Sequence, residues 1–272
     1  MVWGWESWEV STYPNMESEI AEGPLKGRPL SEVIGGEFPL LVKYINARED
    51  LSIQVHPDDA MAKAKHGPGF RGKTEMWYVV DAAPGASLYC GLKEKIGMEE
   101  YERRVKDGTI TDVLDRYEVS PGDVFFLPAG RIHAICSGCF LAEIQQTSDL
   151  TYRIWDYNRP GLDGKPRQLH TELAKEAIDY TVLPDYQTRY TPAKDQEVVI
   201  VSCKYFTTSI FDLTKPVEKV LPDSYLVVMC IDGAGKVGDV PVSKGETVLV
   251  PAGLKKISFI PEGGMKLITS CV

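Results

Sequence analysis

The chain has 272 residues, 43% hydrophobic and 25% charged, with a formal net charge of −9. That balance suits a folded globular chain of one large β-rich domain or two small ones. It argues against non-specific nucleic-acid binding, which needs a basic face, while a few local cations can still select an anionic ligand inside a cleft.

No apolar run long enough to cross a membrane is present, and the aromatic, acidic start MVWGWESWEVS lacks the basic-then-apolar pattern of a signal peptide. Short runs rich in β-branched and aromatic residues predict strands at 40–47, 51–57, 75–82, 86–92, 123–130, 140–148 and 150–158. Apolar residues at helical intervals predict a helical insertion at 98–117, interrupted by Gly108. A second helix is predicted at 171–180, with Thr171 as its N-cap. The Pro-punctuated polar stretch 183–197 reads as a linker or crossover, which puts a domain boundary after Val182. Strands resume at 198–213, 224–232, 246–253, 256–261 and 265–272.

An internal repeat is visible. GDVFFLPAGRIHAI begins at Gly122 and GETVLVPAGLKKIS at Gly245, in matching register. A PAG turn between apolar strands predicts a tight hairpin at the same point of two units, and so two related β-barrels. His133 of the first copy falls opposite Lys256 of the second, and the second copy contains no histidine. Metal chemistry therefore belongs to the first unit, 1–182, and the second, 183–272, is expected to lack a metal site.

Six cysteines are too sparse for a disulfide scaffold. Cys136 and Cys139 form a C-x-x-C, but Cys90, Cys203, Cys230 and Cys271 supply no second close pair for a zinc ribbon. The expectation is small buried thiols in a reducing cytoplasm.

The histidines are His56, His66, His133 and His170. In LSIQVHP, period two puts Ser52, Gln54 and His56 on one strand face and Ile53 and Val55 on the other. That face is either solvated or buried with partners that satisfy it. Glu75 opens an apolar strand, and His133 follows the PAG turn between Ile132 and Ala134. Alone, each has an ordinary structural reading. Together they offer two imidazoles, a carboxylate and an amide oxygen, a set that suits zinc or another divalent first-row ion with positions left for water or substrate.

LSIQVHPDD, GKTEMWYVV, GDVFFLPAGRIHAI and EIQQTSDLTYRIWDYNR, in this order, resemble the signature segments of type I mannose-6-phosphate isomerases in their short bacterial form. The resemblance covers roughly residues 30–182 well and the C-terminal unit weakly. It implies a mainly β double cupin, two jelly-roll barrels with a small helical insertion, the first catalytic and the second degenerate. It implies one zinc ion per chain, held by Gln54, His56, Glu75 and His133, and a catalytic arginine at Arg153. It also places Ser52, Lys73 and Glu143 in the pocket of an enzyme that interconverts mannose 6-phosphate and fructose 6-phosphate by enediol proton transfer. Ser52, Lys73 and Arg153 are the expected substrate contacts. The proton-transfer base is left between Glu143 or a metal-linked water, ranked first, and Lys73. The expected partner is a small sugar phosphate, with no nucleic acid or membrane, in a cytoplasmic monomer or homodimer.

Two departures accompany the resemblance. Some longer members carry a histidine before the Lys73 position, where this chain has Gly72. Members usually have a further N-terminal strand with a W-G-G motif, and near GWESWEVS that strand reads as missing or trimmed, which would leave a sheet edge open. Two other classes fit parts of the pattern: another metal-dependent cupin enzyme such as an iron dioxygenase, and a non-catalytic sugar-phosphate-binding cupin.

Overall fold

Period-two alternation becomes antiparallel sheet in the computed structural model, which describes residues 1–272. The chain divides into two compact units, Met1–Gln187 and Thr188–Val272. The first holds strands β1 (Gly4–Val10), β2 (Leu40–Ala47), β3 (Ile53–Val55), β4 (Glu75–Ala82), β5 (Ser87–Leu92), β6 (Leu114–Glu118), β7 (Val124–Leu127), β8 (His133–Ile135), β9 (Cys139–Gln146) and β10 (Tyr152–Trp155). Its helices are α1 (Leu30–Ile34), α2 (Asp59–His66), α3 (Met98–Asp107) and α4 (Thr171–Ala177).

These strands make two five-stranded sheets, ordered β1-β2-β9-β4-β7 and β10-β3-β8-β5-β6. The sheets share one core, in which Ile45, Trp77, Phe125 and Leu141 of the first meet Leu88, Cys90 and Ile135 of the second. The other face of the second sheet, carrying Ile53, Val55 and Ile154, is covered by Tyr101 and Val105 of α3 and Ala174 of α4. The aliphatic side of β3 therefore has a helical lid, and its polar side is turned between the sheets.

The second unit is a single sheet, β11 (Glu197–Ser202), β12 (Thr207–Leu213), β13 (Val217–Val220), β14 (Leu226–Val237), β15 (Val240–Ser243), β16 (Thr247–Val250) and β17 (Lys256–Cys271). Its path is β11-β12-β17-β14-β15, with β13 on β17 and β16 on β14. Phe211, Leu226, Val228, Phe259 and Leu267 form its core. The protein is mainly β, and no sheet closes on itself in either unit. No helix is long and apolar enough to cross a membrane.

Several expectations change. The strand read as missing is present: Gly4–Val10 pairs with β2 from Gly4↔Ala47 onward and is itself the edge strand of the first sheet. The insertion at 98–117 is shorter than its periodicity suggests. Gly108, with φ 71°, caps α3, a 3₁₀ turn follows at Ile110–Val113, and 114–118 pairs with β5 as a strand. His170 rather than Thr171 is the N-cap of α4. Helix α2 was not foreseen, although Asp58 accepts a hydrogen bond from the Met61 amide as its N-cap. The 198–213 stretch is a hairpin of two strands, and 256–261 and 265–272 run together as β17.

The repeat also builds something other than a hairpin. β7 pairs with β4 in one sheet, while β8 pairs with β3 and β5 in the other, so PAG is a corner that carries the chain between sheets. In the second copy β16 pairs with β14 and the start of β17 with β13, all within one sheet, so there the PAG segment turns the chain without changing sheets. Both copies place glycines in the left-handed region at matching positions, Gly122 and Gly130 (φ 99° and 89°) and Gly245 and Gly253 (92° and 91°).

Part of the stretch read as linker folds back onto the first unit. Tyr186 is buried, donates its hydroxyl to the Leu92 carbonyl and lies under the Arg131 guanidinium. Its ring fills the space that a Cβ on Gly91 would need, at 2.2 Å, and Gly91 itself has φ 79°. Gly91→Ala is therefore expected to lower unfolding stability by about 1–3 kcal/mol, read from urea denaturation, with Tyr186 losing its protection from solvent.

Candidate active site

Cross-strand register assembles the site. In the second sheet Arg153 of β10 faces Gln54 of β3, and Gln54 faces His133 of β8. In the first sheet Lys43 of β2 faces Glu143 of β9, and Glu143 faces Trp77 of β4. Glu75 lies one inward position along β4 from Trp77 and faces Gln145. Period two thus sends all these side chains into the gap between the sheets, although they come from distant stretches of chain.

His56, Glu75 and His133 are buried, and their potential ligand atoms all lie within 4.8 Å of one another. His56 Nδ1 is 2.7 Å from the Leu150 carbonyl, and His133 Nδ1 is 2.7 Å from the Arg131 carbonyl. A carbonyl only accepts, so each Nδ1 carries the proton and each Nε2 keeps its lone pair. Both Nε2 atoms face the same carboxylate: His133 Nε2 is 3.3 Å from Glu75 Oε1, and His56 Nε2 is 3.5 Å from Oε2. Burial holds both imidazoles neutral, pushing His133 down to about 3 and His56 well below its ordinary value.

Lone pairs aimed at a carboxylate repel unless a cation lies near them; Lys73 Nζ, 3.2 Å from His56 Nε2, supplies one on the His56 side, and no side-chain cation stands at His133 Nε2. Neither Glu75 oxygen accepts a well-formed hydrogen bond, although Lys73 Nζ is 2.8 Å from Oε2. An unsatisfied buried neutral group costs about 1–3 kcal/mol and a charged one more, against a whole-domain stability of about 5–15 kcal/mol. The three residues therefore fit a bound metal ion on donor chemistry as well as on distance. Gln54 adjoins them, its Nε2 3.3 Å from His133 Nε2.

Around this set lies a network of buried charge. Glu143 accepts from the Trp77 indole N–H at 2.7 Å, and its Oε1 has no hydrogen-bond partner. Lys43 and Lys73 stand 3.6 Å and 3.9 Å from that oxygen. Burial raises the Glu143 pKa, but the two ammonium groups and the indole outweigh it and hold the carboxyl low. Glu75 goes the other way: burial and the neighbouring Glu143 raise it against the pull of Lys73. Lys73 is kept protonated, because Glu143 and Glu75 more than offset its burial.

One cleft is lined by Ser52, Gln54, Lys73, Glu143 and Arg153, together with Lys43 and Arg167. The sequence-predicted residues therefore come together, with Ser52 and Arg153 at the cleft and the two histidines and Glu75 at its buried end. Arg153 donates to the Gln168 carbonyl at 3.0 Å instead of pairing with Asp149 or Asp156. Asp156 is engaged by Arg159 and Arg167.

Sequence reasoning missed Lys43, whose ammonium reaches Glu6 at 3.2 Å and lies over the Trp8 ring. The signal was a lone charge inside the apolar strand LLVKYI. It also missed Arg167, whose loop carries no periodic pattern.

Gly72 has a physical explanation. A Cβ there would come within 2.6 Å of the Asp58 and Asp59 backbone, so the N-terminus of α2 excludes a histidine at this position.

Facing antiparallel sheets with a buried His–Glu–His cluster beside a PAG corner define the chain first as a cupin-type protein. Residues 196–272 match the description "Mannose-6-phosphate isomerase, cupin domain", and residues 5–76 match "Phosphomannose isomerase type I, catalytic domain". The probable mannose-6-phosphate isomerase GmuF of Bacillus subtilis is 36% identical over 248 residues, covering 85% of this chain and 77% of that protein. The mannose-6-phosphate isomerase ManA of the same organism is 33% identical, over 97% of this chain and 88% of its own. The crystal structure of the mannose 6-phosphate isomerase from Bacillus subtilis superposes with a TM-score of 0.87 at 32% identity, covering 99% of this chain and 90% of that one. An Archaeoglobus fulgidus structure, at 21% identity and a TM-score of 0.77, shares the fold. The chain belongs to the type I mannose-6-phosphate isomerase family.

Glu75→Gln keeps the size of the side chain and removes its charge. Titration of metal-stripped protein with a divalent ion is expected to give one site per chain in the wild type. In the variant the affinity is expected to fall by about 100-fold or more, with the circular dichroism of the fold retained.

Proposed function

We propose that the chain interconverts mannose 6-phosphate and fructose 6-phosphate, with one zinc ion held by Gln54, His56, Glu75 and His133. The observation that carries this reading is the convergence of a buried carboxylate and two imidazole lone pairs at the end of a cleft lined by both cations and carboxylates. Gln54 joins the set through its amide oxygen, since the two ends of an amide exchange by rotation about one bond. When bound, the ion supplies a Lewis acid that polarises the substrate's C1 and C2 oxygens.

The chain's own groups account for the remaining chemistry. Aldose becomes ketose when the C2 proton moves to C1 and the O2 proton is replaced by one on O1. Glu143 Oε1 is the base in this reading, because it lines the cleft, is ionised and has no hydrogen-bond partner. The Trp77 N–H fixes its other oxygen, so the free lone pair keeps one direction. Lys73 is an electrostatic group in this reading, its protonated ammonium stabilising the enediolate oxygen, and its place beside Glu75 ranks it below Glu143 as a base. Ser52 and Arg153 face the phosphoryl group from the cleft wall.

The same reading takes both units as cupin-type jelly rolls and the second as degenerate. Its repeat puts Lys256, an exposed residue paired with Glu218, where the first copy has His133. The six free cysteines suit a reducing compartment, the cytoplasm.

A coupled assay of ketose formation from mannose 6-phosphate, before and after chelation, tests the reading. Activity is expected in the loaded protein and lost on chelation. Binding without ketose formation would leave a sugar-phosphate sensor instead. Arg153→Ala is expected to keep its ion and lose about 10²–10³-fold in turnover. Normal turnover in that variant would remove Arg153 from the mechanism.

A further inference from the structure

We propose that Arg167, held in place by Asp156, is a second phosphate-binding arginine beside Arg153, and that this pair sets the preference for a phosphorylated sugar. The inference rests on the isomerase reading above and adds a residue and a positioning carboxylate to it.

The charges along the cleft are unevenly paired. Lys43 has carboxylates at 3.2 Å and 3.6 Å, and Lys73 has one at 2.8 Å. These two ammonium groups belong to the buried network with Glu6, Glu75 and Glu143. Asp156 is almost wholly buried, and its single charge faces two guanidinium groups. Arg159 donates to Oδ1 through Nε and Nη2 at 3.0 Å and 2.8 Å. Arg167 donates through Nε to Oδ2 at 2.7 Å and through Nη2 to Oδ1 at 2.6 Å. Arg159 also reaches the exposed Glu49 at 3.8 Å, whereas Arg167 has only the shared Asp156, and its Nη1 is not used there.

Arg153 stands close enough to Arg167 to feel its charge. Its Nη1 donates to the Gln168 carbonyl, and its buried Nε has no partner. Burial and the nearby Arg167 charge both push its pKa down, and Asp156 offsets them only in part. Both arginines line the cleft with Ser52. A phosphate dianion suits that gap, since guanidinium groups bind it in a bidentate fashion.

The chain is built to hold the pair together. His170 donates its backbone N–H to the Arg153 carbonyl at 2.7 Å, and its Nδ1 accepts from the Arg153 amide at 3.1 Å. The segment 167–170 is thus fastened to β10 at the catalytic arginine. The turn that brings the loop back passes through Tyr157 and Asn158, both left-handed at φ 56° and 53°. Consecutive non-glycine residues in that region are strained, and they persist where surrounding contacts over-determine them. The four hydrogen bonds to Asp156 are those contacts.

Steady-state kinetics on mannose 6-phosphate, with inorganic phosphate as a competitive probe, test the proposal. In the metal-loaded Arg167→Ala variant, KM and the inhibition constant for phosphate are expected to rise together by about 10- to 100-fold, more than kcat falls. Arg167→Lys keeps a charge and recovers part of the loss. Asp156→Asn acts through Arg167 and shifts the same two constants without adding to the loss in the double variant. Unchanged constants in Arg167→Ala, with an active wild type, would overturn the role of Arg167 and leave the isomerase reading intact. A wild type that forms no ketose would overturn the isomerase reading. Calorimetric titration of phosphate into wild type and Arg167→Lys would then still decide the anion site. Equal affinities, or no binding to either, count against it, and weaker binding to the variant supports it. The lysine variant retains an ion pair to Asp156, so the comparison stands if the alanine variant fails to fold.

Discussion

A carboxylate shut away from the solvent-exposed surface governs the first unit. Glu75 is fully buried in the first sheet, and both of its oxygens face imidazole lone pairs from the second. An ionised side chain in that position is tolerable only with cations at hand, and the surroundings supply them in two forms. Lys43 and Lys73 are buried within reach of the carboxylates, and the donor set fits a metal ion. The rest of the architecture follows from making that polar seam affordable. The helices α3 and α4 cover the aliphatic face of β3, so its amide and imidazole point inward. The large apolar side chains Trp77, Phe125 and Leu88 pack between the same two sheets, where burial of each contributes roughly 1.5–3 kcal/mol.

Much of this was legible in the sequence because sheet geometry has a period of two. Ser52, Gln54 and His56 could be placed on one face from spacing alone, and the cleft and the buried cluster lie on that face. The strand at 75–82 was readable for the same reason, and its bounds agree with β4. Pairing partners were not readable. Whether β7 returns on β8 or crosses to another sheet depends on contacts distant in sequence, and the PAG turn allows either. Lys43 was hidden because a lysine in a strand is ordinarily an exposed one. Arg167 lies in an irregular loop whose position depends on Asp156, and no local pattern announces an ion pair eleven residues long.

The two repeat copies separate what the turn does from what the site does. Both have left-handed glycines at matching positions around the PAG segment, so the turn is a backbone device that works without chemistry. Only the first follows it with a histidine. Lys256, at the corresponding place in the second, is exposed and paired with Glu218 at 2.8 Å. The metal-binding potential of the first unit is an addition to the turn, made by side chains on neighbouring strands that the second copy does not reproduce.

Trp77 ties these levels together in a way that light can read. Its indole N–H is bonded to Glu143, and its ring meets His133 edge-on, with centroids 5.2 Å apart. A fluorophore therefore touches both the carboxylate proposed to move the proton and one of the imidazoles that can bind metal. Of the five tryptophans it is the one placed against both groups, so the proposed centre carries an optical gauge of its own without any attached dye.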